Sequence, residues 1–364
     1  MDVKEPLGSV MVVGGCGNLG HRVVEELFER KLATEVSVLD LSVENNRHNL
    51  ASYYSCDISK KEEIRTILQK TRPQVIFHTA SPPPTMNNLN LYLKVNVTGT
   101  SNFLECAEEL ECVKVFVYTS SASVIHDADS DLIQGDETYP LVFLPKQKEV
   151  YSHSKALAEQ LVLAANRRDK MLTVSLRPSG IFGENDTTQV KRLVESAAAG
   201  KLNIQIGNGR NLFDFTYVGN VVDAEILAAQ KLLTQSTSTT TRIPDNEKVD
   251  GEAFIVTNDD PMRFWAYARA LGAAAGFPVD EQKVWSIPRW VAVAMAILAE
   301  QIVWVISFGK RRPSITKIGI KYSAMTRTYQ IDKIKKRLGY RPRVSMEEGI
   351  RRAGESFRVD KKRL

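Results

Sequence analysis

Short apolar runs alternate with amphipathic stretches along the first forty residues of the chain. Residues 9–14, SVMVVG, are rich in β-branched side chains and predict a strand. The next stretch has helical spacing, which places four apolar side chains on one face: Val23, Val24, Leu27 and Phe28. A second apolar run, 35–41, includes Asp40 near its end. Because a helical crossover returns the chain in the same direction, the pattern predicts two parallel strands joined by a helix.

Further apolar runs continue this alternation through the first half of the chain. They predict strands at residues 74–79, 113–118 and 172–177, each separated from the next by a segment with helical periodicity. Strands that alternate with helices in this way are typical of an α/β fold with a doubly wound parallel sheet, the Rossmann arrangement. Residues 234–250 are polar and rich in Ser and Thr, and they predict a surface loop.

Composition indicates an ordinary globular protein and argues against a disulfide-rich one. The 364 residues are 43% hydrophobic and 25% charged, which is ordinary for a globular chain with a sizeable core. The cysteines show neither C-x-x-C spacing nor metal-binding spacing with histidine; they are Cys16, Cys56, Cys106 and Cys112. We therefore expect no disulfide framework and no metal site, in a reducing cytosolic setting. The N-terminal residues lack the apolar segment of a secretory signal.

Positive charge is concentrated near the C-terminus. The net charge of the chain is +5, but residues 333–364 hold twelve Lys or Arg and four Asp or Glu. This segment is either a solvated helix face or a patch for an acidic surface. No basic motif interleaved with aromatic residues accompanies it, so we do not expect a nucleic-acid partner.

The turn after the first predicted strand is rich in glycine. Its residues are Gly14, Gly15, Cys16, Gly17, Asn18, Leu19 and Gly20. Missing side chains let a backbone approach a pyrophosphate, and the following helix supplies N–H groups and partial positive charge. We therefore predict a dinucleotide site here; a tight turn without a ligand is the alternative.

Two acidic residues, one at the end of the second predicted strand and one after a further short strand that ends before residue 57, suit the adenosine half of a dinucleotide. Asp40 lies twenty residues beyond Gly20, where a carboxylate can accept hydrogen bonds from both ribose hydroxyls, and this favours NAD. NADP is the weaker alternative, because its 2′-phosphate would need Arg47 to offset Asp40. Asp57, with Ile58 beside it, could bind the adenine, although Asp57 also suits a helix N-cap.

These predictions divide the chain into two parts. Residues 1–185, with a return contribution from about 214–258, are predicted to form an NAD-binding Rossmann domain. Residues 186–213 and 259–364 are predicted to form a smaller C-terminal substrate-binding part, which includes an apolar helix at 290–308.

A tyrosine and a lysine share one face of the helix predicted from residue 149 onward. Tyr151 and Lys155 are four residues apart, so their side chains project from the same side. A nearby ammonium and a nicotinamide cation favour the phenolate, which could then take a proton from an alcohol as hydride leaves. Ser121, with Ser123 as its neighbour in YTSSASV, would hydrogen-bond the alcohol oxygen.

The order of these motifs resembles the extended short-chain dehydrogenases/reductases. HTASP at 78–82, VNVTGT at 95–100 and RPSGIFG at 177–183 complete the set. Residues 205–233, 254–265 and 336–350 resemble the 3β-hydroxysteroid dehydrogenase branch, in particular its decarboxylating sterol dehydrogenases. The resemblance covers nearly the whole chain. It departs from the usual pattern at Phe182, where tyrosine is common, and at Asn18, where an aromatic residue is usual.

The resemblance implies roles for particular residues. Tyr151 would be the proton acceptor, Lys155 its activator and ribose anchor, and Ser121 the partner of the substrate hydroxyl, with Ser123 also on the substrate side. The residues implied at the cofactor, besides those of the glycine turn, Asp40, Asp57, Ile58, Tyr151 and Lys155, are His78, Thr79, Ala80, Asn96, Pro178, Ser179, Gly180 and Ile181.

The resemblance also implies a reaction. The expected activity is NAD-dependent oxidation of the 3β-hydroxyl of a 4α-carboxysterol to the 3-ketone, with loss of the carboxylate as CO2, in sterol (ergosterol-type) or related triterpenoid synthesis. A β-keto acid loses CO2 without a metal or second cofactor. Two alternatives stay open, a non-decarboxylating 3β-hydroxysteroid dehydrogenase and a nucleotide-sugar epimerase, although an apolar segment argues against a sugar substrate.

Residues 290–308 form the most apolar segment of the chain. Nineteen residues nearly match the length that crosses a bilayer, but Glu300 lies at the centre. A polar stripe on this helix comprises Arg289, Glu300, Ser307 and Arg311. We therefore expect the helix to lie in a membrane interface with the basic residues 310–312 at the headgroups; a helix buried in the substrate-binding part is the alternative. The expected location is the cytosolic face of the endoplasmic reticulum, peripheral or monotopic, with a sterol C4-demethylation complex as a possible partner.

Overall fold

The computed structural model describes residues 6–167, 170–237, 243–306 and 317–358 of the chain. Its strands in chain order are β1 (Ser9–Val13), β2 (Glu35–Asp40), β3 (Ser52–Ser55), β4 (Val75–His78), β5 (Val115–Thr119), β6 (Leu132–Gly135), β7 (Leu172–Pro178), β8 (Ile181–Phe182), β9 (Ile204–Ile206), β10 (Leu212–Phe213), β11 (Thr216–Tyr217), β12 (Glu252–Val256), β13 (Met262–Arg263), β14 (Trp285–Ile287) and β15 (Arg327–Tyr329).

The α-helices are α1 (Asn18–Glu29), α2 (Lys61–Thr71), α3 (Leu89–Tyr92), α4 (Thr100–Glu108), α5 (Val150–Ala164), α6 (Val190–Ala198), α7 (Val218–Thr237), α8 (Phe264–Ala274), α9 (Arg289–Ile306), α10 (Lys317–Ala324), α11 (Asp332–Leu338) and α12 (Met346–Glu355). A π-helical segment, Leu93–Gly99, joins α3 to α4. Short 3-10 helices span Ala122–Ile125, Lys201–Asn203 and Glu281–Lys283.

Seven parallel strands form the main sheet, in the order β12-β7-β5-β4-β1-β2-β3. The doubly wound α/β fold is therefore confirmed. Because all seven strands run in one direction, their carboxyl ends meet at one edge of the sheet. The strand order changes direction between β1 and β4, which is the point where such sheets open a crevice for ligands.

Both faces of this sheet are covered, which explains the continuous apolar runs of its strands. Alternate residues of β1 point to opposite sides: Val10 and Val12 pack in one core with Val23 of α1, whereas Met11 and Val13 belong to a second core. A strand buried on both faces cannot slip by one residue without breaking both cores, so the position of the glycine turn that follows β1 is firmly set.

A second, four-stranded sheet has the order β13-β10-β15-β6 and joins three strands from the second half of the chain to β6 from the first half. Aromatic side chains fill the core next to it; they are Phe182, Phe213, Phe215, Tyr217 and Tyr267. In this core Phe215 and Tyr267 are stacked, with ring centroids 3.7 Å apart. The chain returns to the main sheet through β12, which pairs with β7.

Helix α7 is longer than the sequence pattern indicates. It continues through Thr237, so the predicted loop is wrong for residues 234–237. The hydroxyls of Thr234 and Ser236 bond to the carbonyls of Gln230 and Leu233, so polar side chains here complete helical turns instead of ending them. Residues 238–242 of the predicted loop lie outside the described residues.

Helix α9 exposes most of its apolar side chains. It is long and apolar enough to cross a membrane by length and composition, and 11% of it is buried in the protein. Ala292 and Ala296 pack against Ile320 of α10. The carboxylate of Glu300, on the predicted polar stripe, accepts a hydrogen bond from the Lys317 backbone N–H at 2.9 Å, which links α9 to the start of α10. Residues 307–312 of the predicted segment and its basic end lie outside the described residues.

Candidate active site

The glycine turn lies against the residues that follow β4. Gly14 has φ +81°, and a Cβ atom there would come within 2.7 Å of the backbone of Ala80. A Cβ on Gly20 would lie 2.3 Å from the Gly14 carbonyl oxygen. The turn therefore tolerates no side chain at these two positions, and Gly17 stands at the N-cap of α1. This cradle fits a pyrophosphate at the N-terminus of the helix.

Asp40 closes the far side of this turn. Its carboxylate accepts hydrogen bonds from the backbone N–H of Cys16 at 3.0 Å and of Leu41 at 2.7 Å. The side chain of Asn46 bonds to the Cys16 carbonyl at 2.8 Å. Burial raises the pKa of the Cys16 thiol to about 11, with a further increase from Asp40 and a decrease from Arg47. Asp40 and Arg47 therefore both lie near the predicted ribose position.

The Asp57 carboxylate is occupied by hydrogen bonds with Ser59, two residues further along the chain, and by an ion pair. Its carboxylate accepts from the backbone and the hydroxyl of Ser59 at 3.0 and 2.7 Å and pairs with Lys94 at 3.2 Å. The Ser59 hydroxyl is the main reason why the pKa of Asp57 lies below its ordinary value. The N-cap of α2 is Lys60, without a side-chain hydrogen bond, so the alternative role of Asp57 as the helix N-cap is wrong, and Asp57 instead closes a local turn with Ser59. The neighbouring Ile58 is buried, and a Cβ on Gly99 would lie 2.7 Å from its side chain.

The segment after β4 can offer its backbone to a cofactor, but it cannot offer the His78 ring. His78 is fully buried, bonds to the Thr100 hydroxyl at 2.9 Å and lies among Phe103, Phe116 and Tyr118. Burial lowers the pKa of His78 to about 3, so the ring stays neutral. Any contact with a cofactor at this position must therefore use the backbone. The Thr79 hydroxyl bonds back to the Val13 carbonyl at 2.9 Å.

Asn96 links the π-helical segment to the helix that carries Tyr151. Its amide nitrogen donates to the Ser154 hydroxyl at 2.9 Å, and that hydroxyl donates to the Tyr151 carbonyl at 2.7 Å. The amide oxygen of Asn96 is buried and has no hydrogen-bond partner among the described residues. A buried acceptor of this kind is costly unless a ligand supplies a donor. Asn96 thus fits the cofactor side of the site.

The serines after β5 form a hydrogen-bonded row. The Ser121 and Ser123 hydroxyls lie 2.8 Å apart, and Ser152 of α5 donates to Ser123 at 2.8 Å. The Ser152 hydroxyl also lies 3.2 Å from Glu149. Ser121 accepts from the Ser123 backbone N–H at 3.2 Å, which holds the start of the 3-10 helix in place.

Tyr151 is half-buried and hydrogen-bonded to Ser121. Its ring packs edge-on against Tyr92, with centroids 5.7 Å apart. Burial raises the pKa of Tyr151, Tyr92 and Glu149 add to this increase, and the hydrogen bond from Ser121 opposes it. The structure therefore brings Tyr151 and Ser121 together. The surroundings of the phenol thus favour its protonated form, and the positive charge of a nicotinamide cation, when bound, would favour the phenolate.

Lys155 is buried one helical turn beyond Tyr151. Its ammonium donates to the Thr119 carbonyl at 2.8 Å and lies 4.9 Å from the Tyr118 ring centre. Burial lowers the pKa of Lys155 to about 7, and Glu225 opposes that shift. Burial also raises the pKa of Glu225 to about 7, while the Thr119 hydroxyl donates to it at 2.5 Å. Glu225 of α7 is therefore the nearby carboxylate that favours the ammonium.

Residues 178–181 cross from the main sheet to the C-terminal part. Pro178 ends β7 opposite Val256, and the Ser179 hydroxyl donates to the Asp214 carbonyl at 2.6 Å. A Cβ on Gly180 would meet the Phe215 ring at 3.1 Å, and Ile181 pairs with Thr216. Backbone pairing with β12 at one end and with β11 at the other therefore fixes the position of this segment.

Glu149, Ser152 and Glu225 are site residues that the motifs did not indicate. Ser152 and Glu149 lie next to Tyr151 in sequence, so helical spacing from Tyr151 could have drawn attention to them. Glu225 is 70 positions beyond Lys155, and its contact depends on the packing of α7 against β5. Among the described ranges, no group of three or more His, Cys, Asp or Glu side chains is placed to hold a metal ion.

The family model described as the 3-beta hydroxysteroid dehydrogenase/isomerase family matches residues 11–289. The chain belongs to this family. Its relatives include the sterol-4-alpha-carboxylate 3-dehydrogenase, decarboxylating, of Candida albicans, at 37% identity over 96% of this chain and 97% of the relative. The human enzyme of the same name is 36% identical over 95% of this chain and 87% of its own length.

A plant relative and two solved structures extend the comparison. The 3beta-hydroxysteroid-dehydrogenase/decarboxylase isoform 1 of Arabidopsis thaliana is 33% identical over 98% of this chain and 81% of its own length. The UDP-glucose 4-epimerases of Thermotoga maritima and Thermus thermophilus, the latter in complex with NAD, each superpose with a TM-score of 0.68. They are 20% and 22% identical, each over 96% of this chain and 98% and 99% of their own lengths. These structures establish the shared fold.

Proposed function

We propose that the protein oxidises the 3β-hydroxyl of a 4α-carboxysterol, or of a related triterpenoid, to the 3-ketone, with loss of the 4-carboxylate as CO2. The observation that carries this proposal is the contact of Tyr151 with Ser121 just after β5, together with the Lys155 ammonium on the carbonyl of Thr119, the last residue of β5. The names of full-length relatives at 33–37% identity support the substrate class.

Proton transfer is assigned to Tyr151. Ser121, which already bonds to Tyr151, would hold the substrate hydroxyl beside the phenolic oxygen. Lys155 is fixed by the Thr119 carbonyl and would contribute positive charge at the end of β5. NAD, when bound, accepts the hydride from C3 of the sterol. The residues that would hold it are the glycine turn, Asp40, Asn96 and the backbone of 78–80 and 178–181.

Loss of CO2 follows from the product of oxidation. The new 3-ketone is β to the 4-carboxylate, so the electron pair of the C4–carboxylate bond can flow into an enolate as CO2 leaves. Protonation of the enolate at C4 completes the reaction. Water can supply this proton, and neither a metal nor a second cofactor is needed, so the proposed reaction requires only the dehydrogenase site.

The preference for NAD over NADP is proposed from Asp40. A carboxylate at the end of β2 suits the two ribose hydroxyls and repels a 2′-phosphate. Arg47 lies close enough to influence Cys16, but its guanidinium packs over the Tyr53 ring with its centre 4.7 Å from the ring centre. Arg47 would have to leave that ring to compensate for Asp40.

Membrane attachment is proposed from α9. The helix turns large apolar side chains outward and small alanines inward, which suits a helix lying in the interface of a bilayer. The proposed location is the cytosolic face of the endoplasmic reticulum, where other enzymes of sterol C4-demethylation could act as partners. A sterol is almost insoluble in water, so an immersed helix would bring the substrate close to the pocket.

The function is tested with a 4-carboxysterol, NAD and the purified full chain. We expect equal amounts of NADH, CO2 and 3-ketosteroid, and Tyr151→Phe should abolish all three while NAD binding is retained. NADH with a retained carboxylate would refute the decarboxylating reaction and favour a simple 3β-hydroxysteroid dehydrogenase. Conversion of a nucleotide sugar without net NADH would favour an epimerase.

A further inference from the structure

Three Lys or Arg side chains are buried within the described residues: Lys155, Arg177 and Arg327. Arg177 forms an ion pair with Glu159, in which the guanidinium and the carboxylate are 2.5 Å apart. Lys155 donates to the Thr119 carbonyl and faces Glu225. Arg327 differs from both, because within the described ranges no carboxylate oxygen lies within 4 Å of its guanidinium.

Arg327 is held between aromatic rings instead of acidic groups. It lies on β15 and is 3% exposed. Its guanidinium centre is 4.9 Å from the Phe213 ring centre and 4.6 Å from that of Tyr322. One terminal nitrogen donates to the Tyr322 hydroxyl, whereas the buried Nε has no hydrogen-bond partner among the described residues. The cation is thus oriented, but it is not neutralised.

Two short routes connect Arg327 to the catalytic serines. The Tyr322 hydroxyl lies 3.5 Å from Glu149, which bonds to Ser152, and Ser152 bonds to Ser123. Tyr329, which also bonds to Arg327, donates its hydroxyl to the carbonyl of Ala122 at 3.3 Å. Ala122 lies between Ser121 and Ser123. The guanidinium therefore belongs to the same polar cluster as the hydroxyl that would hold the substrate alcohol.

Glu149 is a weak counter-ion for this cation. Its carboxyl influences Arg327 less than the phenols of Tyr322 and Tyr329 do, and burial raises the pKa of Glu149 above its ordinary value. Within the described residues Glu149 forms no direct ion pair with the guanidinium and reaches it through the Tyr322 hydroxyl, which lies 3.5 Å from the carboxylate. Burying a cation without a fixed anion is costly, and an anionic group of a bound ligand would offset that cost.

We propose that Arg327 binds the 4-carboxylate of the substrate. This inference rests on the proposed function, which requires a substrate whose carboxylate is attached to the carbon next to the carbinol. A planar guanidinium matches a carboxylate with two parallel hydrogen bonds, and two rings already fix its plane. Arg327 is thereby a specificity residue: it selects 4-carboxysterols over sterols that carry hydrogen at C4, and it orients the C4–carboxylate bond that breaks after oxidation.

The test compares two substrates in three forms of the full-length enzyme. The substrates are a 4α-carboxy-3β-hydroxysterol and the matched 3β-hydroxysterol without the carboxyl group, each with NAD. The forms are the unmodified enzyme, Arg327→Met and Arg263→Met. Arg263 is an exposed arginine on β13 of the same small sheet, so it controls for the loss of one positive charge. The readouts are kcat/KM by NADH formation and equilibrium binding of the unreacted carboxysterol to enzyme without NAD.

In the unmodified enzyme and in Arg263→Met we expect a strong preference for the carboxysterol. Arg327→Met should lower kcat/KM for the carboxysterol by about 100-fold, the loss of two charge-assisted hydrogen bonds, and weaken its binding similarly. Oxidation of the sterol without the carboxyl group should change less than threefold or increase. The selectivity ratio should therefore collapse in this variant alone.

Several results would overturn the inference. An unchanged selectivity ratio would show that Arg327 does not meet the carboxylate, and an equal loss with both substrates would show that it acts by supporting Glu149 and the serines. If Arg327→Met unfolds, Arg327→Lys keeps the charge but not the planar pair, and it should retain the preference for the carboxysterol at reduced strength. Failure of the proposed function is distinguishable, because the unmodified enzyme would then either oxidise neither sterol or form NADH without releasing CO2 from the carboxysterol.

Discussion

Replacement of outward-facing residues of α9 should release the protein from membranes. The perturbation is the triple change Trp290→Ser, Leu298→Ser and Trp304→Ser. These side chains are 76%, 59% and 64% exposed, so their removal leaves the packing of Ala292 and Ala296 against α10 intact. The variant should fold as the unmodified protein does, and thermal unfolding should confirm this.

The expected effect follows from the exposed area. With about 200 Å² for a tryptophan side chain and about 25 cal/mol per Å², the exposed parts of Trp290 and Trp304 correspond to about 7 kcal/mol. The exposed part of Leu298 adds about 1 kcal/mol. A helix immersed to half its depth would keep about 4 kcal/mol of this total, which is roughly a thousandfold in the partition coefficient.

The assay is co-sedimentation with phosphatidylcholine vesicles over a range of lipid concentrations. We expect the unmodified protein to bind and the triple variant to stay in the supernatant at all but the highest lipid concentration. The control is Leu50→Ser with Ile133→Ser, which removes side chains 73% and 66% exposed on other surfaces. Equal binding of the triple variant and the control would refute a membrane role for α9. Failure of the unmodified protein to bind the vesicles would refute it as well.

Three further changes test the nucleotide site and the buried lysine. Gly14→Ala forces a side chain into φ +81° and within 2.7 Å of Ala80, so it should cost about 1–2 kcal/mol in thermal unfolding and weaken NAD binding in a calorimetric titration. Asp40→Asn should reduce the preference for NAD over NADP by roughly tenfold, measured as the ratio of kcat/KM values. Glu225→Gln removes a charge that raises the pKa of Lys155, so that pKa should fall below about 7, and the alkaline loss of activity in a pH profile should move to lower pH. An unshifted profile would mean that Glu225 does not control the lysine.

Local patterns along the chain determined the main sheet and much of the candidate site. The strands predicted around 9–14, 74–79 and 172–177 are present, because a parallel strand covered by helices on both faces needs a continuous apolar run. The glycine turn and the Tyr151–Lys155 pair are equally local, since each depends on the spacing of residues within one turn or one helix.

The ends of helices and the directions of side chains were harder to predict from the sequence. The hydroxyl-rich end of α7 suggested a loop, yet its hydroxyls bond to carbonyls of the preceding turn. His78 belongs to a motif that implied cofactor contact, but its ring points into a core of aromatic residues. Periodicity cannot distinguish these cases, because the partner that satisfies each polar atom is chosen by packing.

Tertiary structure alone decided which distant charges share the site. Glu225 reaches Lys155 across the packing of α7 on β5, and Arg327 reaches the serines after β5 through Tyr322 and Tyr329. These residues lie far from Tyr151 in the chain and have no characteristic spacing. The role of a buried charge depends on the groups around it, and those groups come together only when the chain has folded. The glycine turn that could bind a phosphate consists of seven consecutive residues, so the sequence alone predicts it.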